Sequence, residues 1–330
     1  PAVYQWLLER VKPERDVKGQ SKDGAAYARL WWLHGKPRTE LRPALAGLRR
    51  YIATIETSKH RTFQFLDAGI LPDNMLIAIA SDDALWLGVL SSSAHVAWSL
   101  AAGGRLGVGN DPRYNKSRCF EPFPFPDEDT GLTPALTDRI RALAEQLDAH
   151  RKTQQAAHAD LTLTGMYNVL QKLRSGEALS AKDKLIHSQG LVSVLKSLHD
   201  ELDAAVLAAY GWADLQPALA DHAHADAHAA AVETLLERLV ALNARRAAEE
   251  AAGTVRWLRP SFQQRGLGVQ TSLAAESQDG VDALPEDTAP ASATPAPAVP
   301  KRAWPAGLPE QIKAVAEVLA TSGRALSLAE

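Results

Sequence analysis

The chain has 330 residues, 46% of them hydrophobic and 23% charged, with 8 Trp, 19 Pro and a single cysteine, Cys119. That composition describes a soluble globular protein with room for two domains and a linker. No apolar run reaches the roughly 18 residues needed to cross a bilayer, which excludes a membrane-spanning chain, and one cysteine excludes a disulfide scaffold or a Cys-rich zinc module. The net charge of -3 is unevenly spread: residues 1–126 carry 17 Lys/Arg against 12 Asp/Glu, and residues 127–330 carry 19 against 27.

Val3, Trp6, Leu7 and Val11 predict a helix within residues 1–30, interrupted by the charged stretch Lys12–Lys22. The period then changes to two. Residues 50–56 and 62–66 read as strands joined by the basic turn Ser58-Lys59-His60-Arg61, and Met75–Ala80 as a short apolar strand. Asp82-Asp83 should cap a helix running to about Ala102, ended by Gly103-Gly104. Thr133-Pro134 opens a second helix, about Ala135–Ala159, and further helices are expected over 160–252, among them Leu198–Tyr210 and Ala229–Glu250. The Ala/Pro/Ser/Thr-rich stretch that follows lacks the apolar content to offset its ordering entropy and is expected to be a disordered linker, before a last amphipathic helix at about Leu308–Leu319.

The richest segment for chemistry runs from Gly103 to Pro126. Its glycines follow a helix and lead into Asp111-Pro112, whereas a phosphate cradle needs a strand before it and a helix after it. What the loop offers is Arg105, Asn110, Asp111, Arg113, Asn115, Lys116 and Arg118 on a flexible backbone. Arg forks onto guanine, Asn pairs with adenine and Asp accepts from cytosine, while Lys116 and Arg118 suit phosphates. A polar interdomain loop, its Asn and Asp serving turns, is the plain alternative.

Other candidates read as structural. Cys119 has no neighbouring His to serve as its base and is expected to be buried. Phe120, Phe123 and Phe125, spaced by prolines, should anchor the segment to a core. The His222/His224/His228 tract with Asp221 and Asp226 offers few ligands per helix face and reads as a solvated stretch, so no metal is expected. Ser91–His95 lacks a nucleophile elbow. One of Trp31 and Trp32 should be core.

The motifs LGVGNDPRY and NKSRCFEPFPFP, with the strands before them, resemble the target-recognition domain of MmeI-like enzymes. These are class I, S-adenosylmethionine-dependent, adenine-specific DNA methyltransferases of type IIG restriction–modification and phage-defence systems. DELDAAVLAAYGW and LLERLVALNARRAAEEAAGTVRWLRP look like the helical segment that follows in that family. The resemblance covers about residues 1–262. It implies that the turn at Lys59, His60 and Arg61 and the loop from Arg105 to Arg118 face duplex DNA. It also implies that the chemistry lies elsewhere, because neither a strand-then-GxG loop for the methyl donor nor an Asn-Pro-Pro-aromatic motif for the extruded adenine is present.

The expected architecture is therefore α+β: a recognition domain with a small mixed or antiparallel sheet at 1–130, an all-helical domain at 131–262, a disordered linker at 263–306 and the start of a helical module at 307–330. No catalytic, cofactor or metal residue is expected in the chain. S-adenosylmethionine is expected in an upstream methyltransferase domain of the same polypeptide or of a partner chain. The start at Pro1 and the unfinished helix at the end suggest a fragment, and the lack of a charged-then-apolar leader suggests a cytoplasmic protein. The alternative is a helical protein-interaction module of a defence complex with no methyltransferase activity.

Overall fold

Lys12 and Asp16 pair across one helical turn at 2.5 Å, as do Lys18 and Glu14 at 2.6 Å. The charged N-terminal stretch is consequently helical rather than a break: α1 (Ala2–Arg10), α2 (Lys12–Val17) and α3 (Lys22–Arg29) follow one another, with Pro13 in the first turn of α2, where its missing N–H costs nothing. The computed structural model describes residues 2–20, 22–33, 38–106 and 111–264. Every described residue lies within one compact unit, Pro1–Val269. The linker expected from 263 falls outside the described residues beyond Gln264, as does the module expected at 307–330.

After α4 (Leu41–Leu45) come β1 (Arg50–Ile55), β2 (Gln64–Asp67) and β3 (Leu76–Ile79), an antiparallel sheet in the order β2–β1–β3. Ile52 faces Phe65 on one side and Ile79 on the other, so the middle strand is buried on both faces from Tyr51 to Thr54.

The single helix expected to Ala102 is two: α5 (Ala84–Ser91) and α6 (Ser93–Ala102), bent by 62°. Asp83 caps α5 as expected, accepting from Leu85 N at 2.9 Å. The break has a tertiary cause. The Asp203 carboxylate, from a helix 110 residues away, accepts the N–H of Ser93 at 2.6 Å and supplies α6 with an N-terminal acceptor. Beyond α6 lie the hairpin β4 (Gly104–Leu106) and β5 (Asp111–Arg113) and a π-helical turn at Lys116–Phe120.

The helical half comprises α7 (Pro134–Ala157), α8 (Leu163–Ser175), α9 (Ala181–Gln189), α10 (Val192–Ala209), α11 (Gln216–Ala220), α12 (Ala225–Ala251) and α13 (Pro260–Gln263). Thr133 caps α7 through Leu136 N. Sheet and helices share α5: Leu85 and Val89 belong to the helical core, while Ala84, Leu87 and Leu90 belong to the core under the sheet. Gly88 lets α7 approach, since a Cβ there would sit 2.6 Å from Ile140 Cγ2. Arg151 of α7, buried, donates to Phe63 O at 2.9 Å and to the Tyr167 hydroxyl, which in turn lies 2.7 Å from His199 Nε2. At the far end Arg246 and Arg256 clasp Asp127 at 2.6 and 2.7 Å, and Arg259 donates to Ala44 O and Ala80 O. Among the described residues no helix is long and apolar enough to cross a membrane.

One aromatic hub ties the pieces. His95 of α6 lies 2.9 Å from the Tyr114 hydroxyl through Nε2 and packs edge-on against Phe123 (4.4 Å) and Phe63 (5.5 Å). Phe123 is buried and Phe120 and Phe125 pack at 5.6 Å, so this proline-spaced run anchors the chain as expected. Trp31 is buried and Trp32 half exposed.

Burial holds the His95 imidazole down to about 3, so it is neutral in the folded protein at physiological pH. Its folded value lies below its unfolded one, so this contribution to stability is complete above pH 6.5 and is lost as pH falls toward 3. Relative to His95→Gln, wild-type stability should drop by about 1.4 kcal/mol per pH unit between pH 6 and pH 4. Urea unfolding of both proteins across that range checks this, and parallel pH profiles would contradict it.

Candidate nucleic-acid interface

Beyond Ile55 the backbone of β1 does not stop pairing. Thr57 bridges Arg113, Tyr114 N donates to Glu56 O at 2.7 Å and Ser58 N donates to Pro112 O at 3.2 Å. The β4–β5 hairpin is thereby docked on an extension of the central strand, and the basic turn emerges where the two meet.

Arg61 closes that junction from inside. Only 8% exposed, it donates to Thr54 Oγ1 at 3.1 Å, to Glu56 O at 3.3 Å, to Pro112 O at 3.1 Å and to Ile55 O, with its guanidinium 5.0 Å from the centre of the Tyr114 ring. Burial lowers its pKa from the ordinary value. The sequence placed Arg61 with its neighbours as a DNA contact; its donors are instead spent on the backbone of β1 and β5, because the strand extension leaves carbonyls that need partners. Arg61 is a buried strut between β1 and β5 rather than an exposed basic side chain.

Lys59 and His60 do reach the surface and share one acceptor there. Lys59 Nζ donates to Asn168 Oδ1 at 2.7 Å, and His60 Nε2 lies 2.8 Å from the same oxygen. Burial beside Tyr167 and α8 holds the His60 imidazole below its usual range, partly offset by the bond to Asn168. Asn168 carried no local sequence signal. The only hint is that residues 161–176 contain no Asp or Glu, in a half of the chain that is otherwise acidic.

The hairpin register separates residues that the sequence lists together. Arg105 stands opposite Pro112, whereas Leu106 faces Asp111 and Gly104 faces Arg113. Cross-strand partners share a face and neighbours alternate, so Arg105 points to one side of the hairpin and Asp111 and Arg113 to the other. On that second side Arg113 Nε donates to Glu56 Oε1 at 2.6 Å, an ion pair whose two side chains are 34% and 20% exposed. Arg113 is thus already matched to a carboxylate. Asn110 lies outside the described residues.

Asn115 O accepts from Arg118 N at 3.2 Å and from Cys119 N at 2.7 Å, which starts the π-helical turn and buries the Cys119 thiol against Ser99 O, as expected for a structural cysteine. The same turn leaves Lys116 and Arg118 exposed, Lys116 3.7 Å from Glu121. Basic side chains on the surface here are Lys59, Arg105, Lys116 and Arg118, gathered around one docked hairpin. Exposed basic side chains spread along a hairpin and its flanking turns suit an extended polyanion better than a small molecule.

Gly103 sets how close the hairpin comes to α6. A Cβ there would lie 2.6 Å from both Arg113 O and Ser99 O, two backbone atoms that cannot yield cheaply, whereas at Gly104 the nearest atom is Asn115 Oδ1 at 3.8 Å. Gly103→Ala should therefore destabilise by about 2 kcal/mol or more through overpacking, and Gly104→Ala by less than about 1 kcal/mol. Denaturant unfolding of the pair checks this; equal costs would contradict the close approach.

Residues 49–127 match the family described as MmeI, target recognition domain. No curated protein matches the chain. A structure of the type IIL restriction-modification enzyme MmeI in complex with DNA is similar at 21% identity and a TM-score of 0.49, over 72% of this chain and 26% of that one, so this chain spans about a quarter of that enzyme's length. The matched span runs from the start of β1 through the hairpin and the aromatic anchor to the loop before α7.

Proposed function

We propose that this chain is the DNA-recognition part of an adenine-N6 DNA methyltransferase of a restriction–modification or phage-defence system, acting on duplex DNA in the cytoplasm. The observation that carries the reading is the match of residues 49–127 to a target recognition domain, because that span carries the exposed basic side chains Lys59, Arg105, Lys116 and Arg118. Lys116 and Arg118 set the register on phosphates, while the hairpin presents Arg105 and Asp111 to base edges from its two faces. The helical half is the scaffold that holds this end rigid.

S-adenosylmethionine does not fit the residues described. Gly103 and Gly104 follow a helix and lead into an antiparallel hairpin, not from a strand into a helix N-terminus. The methyl donor and the extruded adenine belong to a catalytic domain outside this chain, and no catalytic step is assigned to it.

Fluorescence anisotropy of a labelled duplex across a salt series tests the reading. Affinity should fall steeply with salt, and Lys116→Ala/Arg118→Ala should lower the slope of log K against log[salt] by about 2 units. Glu56→Gln, which releases Arg113 from its carboxylate, should tighten binding and raise the slope by up to about 1 unit. No salt-dependent binding by the wild type would overturn the reading and favour the helical protein-interaction module, to which the acidic half of the chain is suited.

A further inference from the structure

The turn at Ser58–His60 has a second neighbour besides the hairpin. Both Lys59 and His60 use Asn168 Oδ1, in the middle of α8, as their acceptor. This helix lies outside the span that matches the recognition family. Its buried face is Met166, Tyr167, Val169 and Leu170. Opposite lies a stripe at Thr164, Asn168, Gln171 and Ser175, spaced by four, three and four residues and therefore on one face. Every member is polar and uncharged, and α8 contains no carboxylate at all, although residues 127–330 hold 27 acidic side chains against 19 basic ones.

The donors at this junction are left over. Once its oxygen is taken by Lys59 and His60, the Asn168 amide still has two N–H groups, and the Lys59 ammonium keeps two of its three protons. Gln171, one turn along, is exposed, and its side chain has no hydrogen-bond partner among the described residues. Fixed donors, one net positive charge and no acid nearby on the helix are what an anionic oxygen requires.

We propose that α8 is part of the DNA interface: Lys59, Asn168 and Gln171 form a clamp for a backbone phosphate, with Asn168 holding the Lys59 ammonium in place between protein and nucleic acid. The proposal rests on the duplex-recognition reading above and extends it from the hairpin, across the turn, onto the helical half. Along that line the contacts are continuous, from Arg105 opposite Pro112, to Ser58 on Pro112 O, to Lys59 on Asn168. The clamp does not read sequence. It fixes where the duplex lies against the hairpin.

The test is duplex binding over a salt series by the whole chain carrying Asn168→Asp, Gln171→Glu or, as a control for net charge, Ala241→Glu on the exposed face of α12. Asn168→Asp should weaken binding about tenfold and lower the salt slope by about 1 unit, since the new carboxylate neutralises Lys59. Gln171→Glu should weaken binding severalfold, and Ala241→Glu should bind as the wild type does. Gln171 is exposed, so its substitution decides the matter if Asn168→Asp misfolds. Wild-type affinity for Gln171→Glu and folded Asn168→Asp, with the Lys116→Ala/Arg118→Ala loss intact, would overturn the clamp and leave duplex recognition standing. A wild-type chain that binds no duplex would overturn both.

Discussion

Arg61 carries its charge into the protein with no carboxylate partner among the described residues, and the recognition end is organised by how that charge is satisfied. An ion taken out of water costs several kcal/mol unless its donors find acceptors. Here the acceptors come from Thr54, Ile55 and Glu56 on the central strand and from Pro112 on the hairpin. The guanidinium is compensated only while strand, turn and hairpin are all in place. The hairpin is therefore not a loop free to move over a scaffold. It is one side of a buried polar junction, with the Tyr114 ring beneath it.

The junction is braced from the other side. Arg151 of α7 donates to Phe63 O, two residues beyond Arg61, and its remaining contacts are the Tyr167 hydroxyl and His199 in the helical core. Between these two buried arginines the segment from Lys59 to Phe63 is held by both halves of the protein. The shared helix α5 and the close approach at Gly88 remove any seam between sheet and bundle. Contacts of a recognition surface are only as well placed as the residues behind them. The helical half supplies that backing, and α8, which contains no acidic residue, is the helix whose Asn168 meets Lys59 and His60 of the turn.

The elements with strong local signals were legible in the sequence. Alternation around Ile52 marked the central strand, Asp83 and Thr133 marked helix starts, and the proline-spaced phenylalanines marked an anchor. Features set by distant partners were not. The break at Ser92 depends on Asp203, and the helicity of Lys12–Val17 depends on ion pairs that composition alone reads as a solvated run. The candidate site divides in the same way. Basic content located the turn and the hairpin, but charge says nothing about where a side chain points. Arg61 sits inside because strand carbonyls needed donors, and Arg113 is matched to Glu56 because the extension of β1 runs beside β5. Asn168, contributed from more than 100 residues away, left no trace except the missing acids around it.

Amide hydrogen exchange on Arg61→Met, compared with the wild type, bears most directly on the claim that one buried guanidinium holds the recognition end together. Methionine keeps the apolar bulk and removes the donors. The account predicts that protection is lost at Ser58 and Tyr114, whose amides bond across the junction, while the amides of α7 and α10 keep wild-type protection. Unchanged protection at Ser58 and Tyr114 would contradict it, and would mean that strand pairing alone docks the hairpin.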